Sequence, residues 1–520
     1  MSLLKNFATV GGATATSRLL GFVRDMFIAA ALGTGPVADA FFVAFRFPNL
    51  FRRLFAEGAF NSAFVPLFAK ALEGEGENSA RRFGEESLSV LLTALLALTA
   101  LVEIAMPILM FVMAPGFASD PAKFDLTVVL TRIAFPYLTL VSLLALYSGV
   151  LNARGRFAAA AFAPALLNVV LIGALAYIFW SGHDGDPEAG FVLSWGTVVG
   201  GVAQLALVGV AAGRDGMWLK LRPPALTGRV RRFVRLAVPG VLAGGVTQIN
   251  IVIGTMIASL APGAVSYLYY ADRLYQLPLG IVGIAIGVVL LPDLSRQLRS
   301  GRLDVADHTQ NRALEFAMAL TLPASVALFV MADPIIALLY ERGSFGPPDT
   351  AATAAALAAF AVGLPGFVLV KVFSPGFFAR EDTRTPMWFA AASVAVNVGA
   401  SFALFPFLAH VGIAIATALA GWVNTVLLAG TLVRRGQFVA DAALRRRLPL
   451  LALASVLMGA CLWIAVRLLD PVLADPRLLV RAAAVGALVV GGMAVFVVFC
   501  QFTGAADFHG ALAKVRRRRS

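Results

Sequence analysis

Apolar positions in this chain fall in long runs, not in alternation. Stretches of about twenty or more mostly apolar residues, separated by Gly, Pro and charged clusters, recur along all 520 residues. A run of that length is what a helix needs to cross the hydrocarbon core of a bilayer. The pattern predicts helices over 8–32, 36–68, 84–113, 127–151, 158–180, 190–212, 232–259, 264–292, 312–331, 350–378, 386–407, 411–433, 448–469 and 478–502, fourteen in all. The expected fold class is an all-α polytopic membrane protein. The first segment carries Arg18, Arg24 and Asp25 inside it, unlike the apolar centre of a cleavable signal peptide, so the N-terminus is expected to be retained.

Composition changes the picture by exclusion. With 59% hydrophobic and 14% charged residues, the chain lacks the polar surface to coat a soluble fold of its size. Because the apolar runs extend throughout, a soluble enzyme on one anchor helix is excluded too. The two cysteines, Cys461 and Cys500, lie inside apolar runs without metal-ligand spacing, so neither a disulfide framework nor a zinc site is expected.

The net charge of +13 would suit nucleic acid, but in a polytopic protein excess Lys and Arg collects in cytoplasmic loops. It does so here. Lys70, Arg81, Arg82, Arg154, Arg156, the cluster from Arg214 to Arg235, Arg296 to Arg312, Arg380, Arg384, Arg434 to Arg447 and the tail from Lys514 occupy alternate connections. The opposite connections hold mainly acids, with Lys123, Arg342 and Arg477 as the exceptions. Both termini are therefore expected in the cytoplasm, and no nucleic-acid partner is expected.

The chain also repeats itself. Gly35 to Phe42 resembles Gly263 to Tyr270, while Pro136, Gly149, Arg154 and Asn168 answer Pro365, Gly376, Arg380 and Asn397, at offsets between 226 and 229. Gly201 and Gln204 likewise answer Gly421 and Asn424. Six helices per copy make this a parallel repeat about an axis along the membrane normal. The expected organisation is a six-helix lobe over 1–213, a basic cytoplasmic linker over 214–235, a second lobe over 236–435, a linker over 436–447, an appended helix pair over 448–502 and a basic tail over 503–520. Two facing bundles are a common basis for alternating-access transport.

Ionisable groups at membrane depth are costly and are expected to face water or one another. The first two segments carry Arg18, Arg24, Asp25, Asp39, Arg46, Arg52, Arg53 and Glu57, and the eighth carries Asp272 and Arg273. Ser17, Gly21 and Arg24 share one helix face, as do Asp39 and Arg46. Arg52 and Arg53 can snorkel at a helix end, with Arg53 paired to Glu57, but Arg18 and Arg24 lie too deep for both to do so. Several guanidiniums and few carboxylates imply an anionic substrate, and a pyrophosphate suits the guanidinium fork. The sequence carries no Walker loop, no metal cluster and no carboxylate pair of the kind an enzyme would need.

The stretches Ser17-Arg18-Leu19-Leu20-Gly21-Phe22-Val23-Arg24-Asp25, Ala38-Asp39 through Asn49 to Arg52-Arg53, Ala56-Glu57-Gly58-Ala59-Phe60, Phe162 to Asn168 and Tyr269 to Leu274 closely resemble the MurJ (MviN) lipid II flippases. The resemblance spans the whole chain. It implies a bacterial inner-membrane member of the multidrug/oligosaccharidyl-lipid/polysaccharide exporter superfamily. Such a protein moves undecaprenyl-pyrophosphate-linked disaccharide-pentapeptide (lipid II) to the periplasmic leaflet for peptidoglycan synthesis. It also implies substrate-binding roles for Ser17, Arg18, Arg24, Asp39, Arg52 and Arg273, and gate or supporting roles for Asp25, Arg46, Asn49, Arg53, Glu57 and Asp272. In this picture Arg18, Arg24, Arg52 and Arg273 clamp the diphosphate, and Asp39 orients them or serves as a gate partner.

No cofactor is expected. Where some relatives have a sodium site, this chain offers Thr247, Gln248, Asn250 and Asn397 but no mid-helix carboxylate, so coupling to membrane potential or to a monovalent cation stays open. The expected partners are lipid II and membrane lipids, with cell-wall synthesis proteins as further candidates. Another exporter of the same superfamily, for a different lipid-linked sugar or for drugs, is the alternative, although a cationic drug would want acidic groups. A scaffold for cell-wall enzymes would leave the arginines dispensable. Finally, Gly459, Ala460, Gly486, Gly491 and Gly492 permit either close packing of the appended pair or an apolar groove for a polyprenyl tail.

Overall fold

The computed structural model describes residues 3–53 and 60–505, apart from the side chains of 3–8, 60–62, 240–247, 284–285 and 287–289. Glu57, and with it the expected Arg53–Glu57 pair, lies outside the described residues. Among the described residues all regular structure is helical: α1 Leu3–Leu32, α2 Pro36–Arg52, α3 Phe60–Glu75, α4 Glu77–Met113, α5 Pro121–Ala134, α6 Tyr137–Ala153, α7 Ala158–Ser181, α8 Pro187–Arg214, α9 Gly228–Ala258, α10 Ala264–Arg299, α11 Leu303–Val330, α12 Ala332–Tyr340, α13 Pro347–Phe378, α14 Arg384–Arg434, α15 Ala442–Leu468, α16 Asp470–Leu473 and α17 Leu478–Thr503. Among the described residues, each expected span falls largely on helix. Nine of the described helical stretches are long and apolar enough to cross a membrane, with Pro121–Ala153 acting as one.

The differences from expectation have local causes. Of the segment expected as one helix over 36–68, α2 runs through Pro48 to Arg52 and α3 covers Phe60 onward, residues 54–59 lying outside the described residues. The two spans expected over 386–407 and 411–433 are present as two helices, carried here under the one label α14, that meet at a non-helical break at Ala409 (φ 46°, ψ −129°). The expected span over 127–151 begins earlier because Asp120 caps α5, its side chain accepting from the Lys123 N–H at 3.2 Å, with Pro121 in the first turn. That extra turn brings Lys123 into the helix.

Packing divides the chain into two units: Met1–Ser266 with Arg342–Gly346, and Tyr267–Glu341 with Pro347–Ser520. The division falls one helix later than the repeat suggests, because α9 is cemented to the first unit. Phe233 of α9 meets Phe64 edge to face at 6.0 Å, and Phe64 stacks on Phe83 at 5.5 Å. The extended segment after α8 enters the same core: Met217 and Leu219 are buried, while Trp218 between them and Lys220 after them are exposed. Buried Glu85 of α4 holds that segment in place, pairing with the Arg222 guanidinium and accepting from the Lys220 N–H at 3.2 Å.

Within the first unit, α1 packs on α7, α7 and α6 on α8, and α2 on α5. The C-terminal end of α1 is closed largely by backbone, with the Ser344 hydroxyl also donating to the Ala31 carbonyl at 3.2 Å. Gly185 N–H donates to the Ala31 carbonyl at 2.7 Å and Ser344 N–H to the Ala30 carbonyl at 2.8 Å. The approach needs glycine on both sides. Gly33 (φ +58°) and Gly343 (φ +57°) each have a carbonyl oxygen 2.3 Å from where a Cβ would stand, that of Ser344 and of Ala30 respectively.

In the second unit α13 packs on α11 and α14, and α15 packs on α11 and α17. Met331, Leu451, Met458, Leu462, Leu488 and Phe496 fill the seam of the appended pair. Gly459 lies against Val326, and Gly492 against Leu462. These glycines are used for close packing, so the seam expected as a groove for a lipid tail is a filled core, and Val456 and Val490 point outward at 62% and 69% exposure. In the α13–α14 loop, the Arg435 guanidinium at 2.7 Å and hydrogen bonds from Thr385 hold the Asp382 carboxyl down at about 2.

Candidate functional site

Three polar groups cross the interior of the first unit. On α1, the face bearing Ser17, Gly21 and Arg24 docks on Asn168 of α7. Arg24 Nη1 donates to Asn168 Oδ1 at 2.8 Å, and Asn168 Nδ2 donates to the Ser17 carbonyl at 2.9 Å. Gly21 leaves room for the amide, which stands 3.5 Å from a hypothetical Cβ. Arg24 Nη2 also meets Asp25 Oδ1 at 2.6 Å, and its guanidinium sits 5.6 Å from the centre of the Phe45 ring. Arg24 and Asp25 are both buried. Such a pair is held in place by mutual neutralisation, since removing either partner would leave an uncompensated charge.

Arg18 is one step round the helix and differs completely. It is exposed and, among the described residues, has no hydrogen-bond or ion-pair partner. The two deep arginines of α1 are therefore not equivalent: one is built into the interior and the other offers all five of its donors.

The second group centres on Asp39, which stands apart from the arginines expected beside it. This carboxylate is fully buried and makes no contact with the arginines. Its Oδ2 accepts from Lys123 Nζ at 2.7 Å and from the Gly263 N–H at 3.0 Å; its Oδ1 accepts from the Ser266 N–H at 3.0 Å and from Ser266 Oγ at 2.7 Å. Gly263 and Ser266 flank the start of α10, so Asp39 caps that helix. Four donors thus occupy the carboxylate in this arrangement. Lys123, assigned by sequence to a loop, is its buried counter-charge. Its ammonium also lies 4.0 Å from the centre of the Phe117 ring.

The third group runs along the rest of α2. Arg46 Nη1 donates to Thr255 Oγ1 of α9 at 2.8 Å, and Arg52 Nε to Asn49 Oδ1 at 2.9 Å. Asn49 Nδ2 returns to the Phe45 carbonyl at 2.6 Å. Arg46, Asn49 and Arg52 are half-buried, while Arg53 is exposed. Asn49 thus holds the Arg52 guanidinium from one side.

In the second unit, Arg273 lies 4.7 Å from the centre of the Tyr269 ring and donates from Nη2 to the Tyr269 hydroxyl at 2.9 Å. The neighbouring Asp272 accepts from Gln276. Of the polar residues that stand where some relatives have a sodium site, the Thr247 side chain lies outside the described residues, Gln248 Oε1 is buried without a hydrogen-bond partner among them, and Asn397 accepts from Thr417 at 3.3 Å. No cluster of metal-ligating side chains is found among the described residues.

A chain of apolar spanning helices with cationic groups built along its first two spans and its eighth defines a class, the polytopic helical exporters. Its fold matches an inward-facing multidrug resistance MATE family transporter of the MOP superfamily, with a TM-score of 0.65 at 14% identity, covering 81% of this chain and 95% of that one. It also matches a lipid II flippase MurJ in an inward closed conformation, with a TM-score of 0.77 at 24% identity over 95% of this chain and 98% of the other. The particular family follows from sequence: the chain belongs to the lipid II flippase MurJ family, whose description matches residues 28–474. It is 53% identical to the probable lipid II flippase MurJ of Rhizobium meliloti (strain 1021) over 99% of this chain and 97% of that protein. It is 36% identical to the lipid II flippase MurJ of Burkholderia cenocepacia over 90% of this chain and 91% of the relative.

Proposed function

We propose that this protein is a flippase that carries lipid II from the cytoplasmic to the periplasmic leaflet of the bacterial inner membrane, where it feeds peptidoglycan synthesis. The observation that carries the reading is the 53% identity with a probable lipid II flippase along essentially the entire chain, appended pair included. The chemistry supports it. Arg18, exposed and without a partner among the described residues, is the first guanidinium a diphosphate would meet. Arg52 and, on the second unit, Arg273 are half-buried cations that it would meet in the course of transport. A drug exporter for cations would be repelled by the same groups.

The charge bias of the loops supports cytoplasmic termini. No resident cofactor enters this reading. Membrane potential is the energy source it favours, at about 2.3 kcal/mol per charge per 100 mV if the whole field is crossed. An inside-negative potential would draw emptied, cation-bearing elements back toward the cytoplasm. The deciding experiment is complementation of a strain depleted of its own lipid II flippase. Growth at normal expression supports the reading. Failure to grow, with the protein present in the membrane, sinks it in favour of another exporter or a scaffold.

A further inference from the structure

Among the described residues, Lys123 is the one basic side chain that the structure moves from an expected loop into a buried position, and the reading above gives it no role. It is anchored from its own side. Asp120 caps its helix, and the Phe117 ring lies against its ammonium. Its charge is answered by Asp39 alone among the described residues. Asp39 in turn divides its hydrogen bonds between two different parts of the fold. One bond goes to Lys123 on α5, and three go to the turn that joins α9 to α10.

We propose that Lys123 is the positioning residue of a closure between α2 and the α9–α10 turn. By neutralising Asp39 it allows that carboxylate to cap α10 without exposure to water, and so sets the balance between the arrangement seen here and one in which the turn has left α2. The proposal rests on the alternating-access reading of the protein.

A lone carboxylate at zero exposure, held only by neutral donors, is strongly disfavoured against a hydrated one. With Lys123 present, the pair is neutral and the closed arrangement can be dry. Without Lys123, closing the turn onto α2 means burying an unpaired negative charge, while opening it lets water reach the carboxylate. Loss of the lysine therefore shifts the balance toward the open arrangement. Loss of both charges removes the reason for the shift. A residue that merely filled space would show neither effect.

The test uses the full chain in membrane vesicles, in a Cys461→Ser/Cys500→Ser background with Ala264→Cys, which stands at the fully buried first residue of α10. The rate of labelling by a membrane-impermeant maleimide is compared across variants. Lys123→Met is expected to raise it by about tenfold or more, a conservative reading of what unpairing a buried charge does. Lys123→Arg should stay near the parent rate, and Asp39→Asn/Lys123→Met should fall well below Lys123→Met. Equal labelling of Lys123→Met and parent overturns the proposal. So does a double variant labelled as fast as, or faster than, the single one. Membrane levels of each variant, measured alongside, separate an opened closure from a protein that failed to insert. Complementation by the parent chain tests the flippase reading independently.

Discussion

Arg24 and Asn168 are bonded at 2.8 Å, and the same amide donates to the carbonyl of Ser17. One side chain of α7 thus reads two successive turns of α1 and fixes the register of the two helices. Asn168→Leu should leave both a buried guanidinium donor and a carbonyl unsatisfied, at about 1–3 kcal/mol each. Thermal unfolding in detergent should fall by several degrees and transport should be lost. Asn168→Asp, which keeps the acceptor but not the donor, should restore part of both. A stable, active Asn168→Leu protein would remove the amide from the mechanism.

Arg18 should behave in the opposite way. Since it has no hydrogen-bond or ion-pair partner among the described residues, Arg18→Ala is expected to leave stability within about 0.5 kcal/mol of the parent while weakening binding of a polyprenyl diphosphate by about tenfold, the loss of a charge-assisted pair. Lysine should recover only part of the affinity, because it lacks the bidentate fork. Titration calorimetry beside a melting curve separates the two quantities.

Gly33→Ala and Gly343→Ala each put a methyl group 2.3 Å from a carbonyl oxygen and force a left-handed backbone on alanine. Each should cost about 2 kcal/mol or more. Because both break the same docking, the double variant should cost much less than their sum. Urea or heat unfolding of the three variants gives the comparison.

The Asp382 carboxyl, held at about 2 by Arg435 and Thr385, gives a signed pH dependence. A depressed carboxyl contributes its stability in full above its unfolded value of about 3.9 and loses it as pH falls toward the folded value. The difference in melting temperature between the parent and Asp382→Asn should therefore be constant from pH 8 to 5 and shrink only below about pH 4. A difference that already closes at pH 6 would point to another group.

Photo-crosslinking probes at Val456 and Val490 should label a polyprenyl-diphosphate analogue no more than a probe at Leu479, which is 83% exposed on the same helix pair. All three face outward, and the seam behind them is filled. Saturable labelling confined to the first two would restore the groove that the packing of Gly459 and Gly492 argues against.

The spans were legible because the bilayer imposes a length and the loops carry a charge bias, and both signals are local. Arg18 was legible as a cation at depth for the same reason. The partners of Asp39 were not, since Lys123 is 84 residues away and the helix that carries it begins before its apolar run does. The faint signal was that Lys123 is one of the few cations in an otherwise acidic set of connections. Asn168 was visible as half of a repeated pair with Asn397, but repetition does not say which guanidinium an amide will meet. Small residues mark close packing and open space alike, so the sequence leaves both readings of the appended pair open, and only the neighbouring Val326 and Leu462 decide for packing at Gly459 and Gly492.

Residues Arg342–Gly346 belong to the first unit although the chain on either side belongs to the second. This has a consequence for biosynthesis. The carbonyl of Ala30 receives its partner from Ser344, and Ala31 from Gly185 and Ser344, the last of these bonds spanning 313 residues. A nascent chain that has delivered α1 to α9 into the membrane still has an unfinished end on its first helix. It stays so until α10, α11 and α12 have followed. The first unit therefore cannot mature ahead of the second during synthesis, and a ribosome stalled before Arg342 would hold a protein whose earliest helix is still waiting for its last contact.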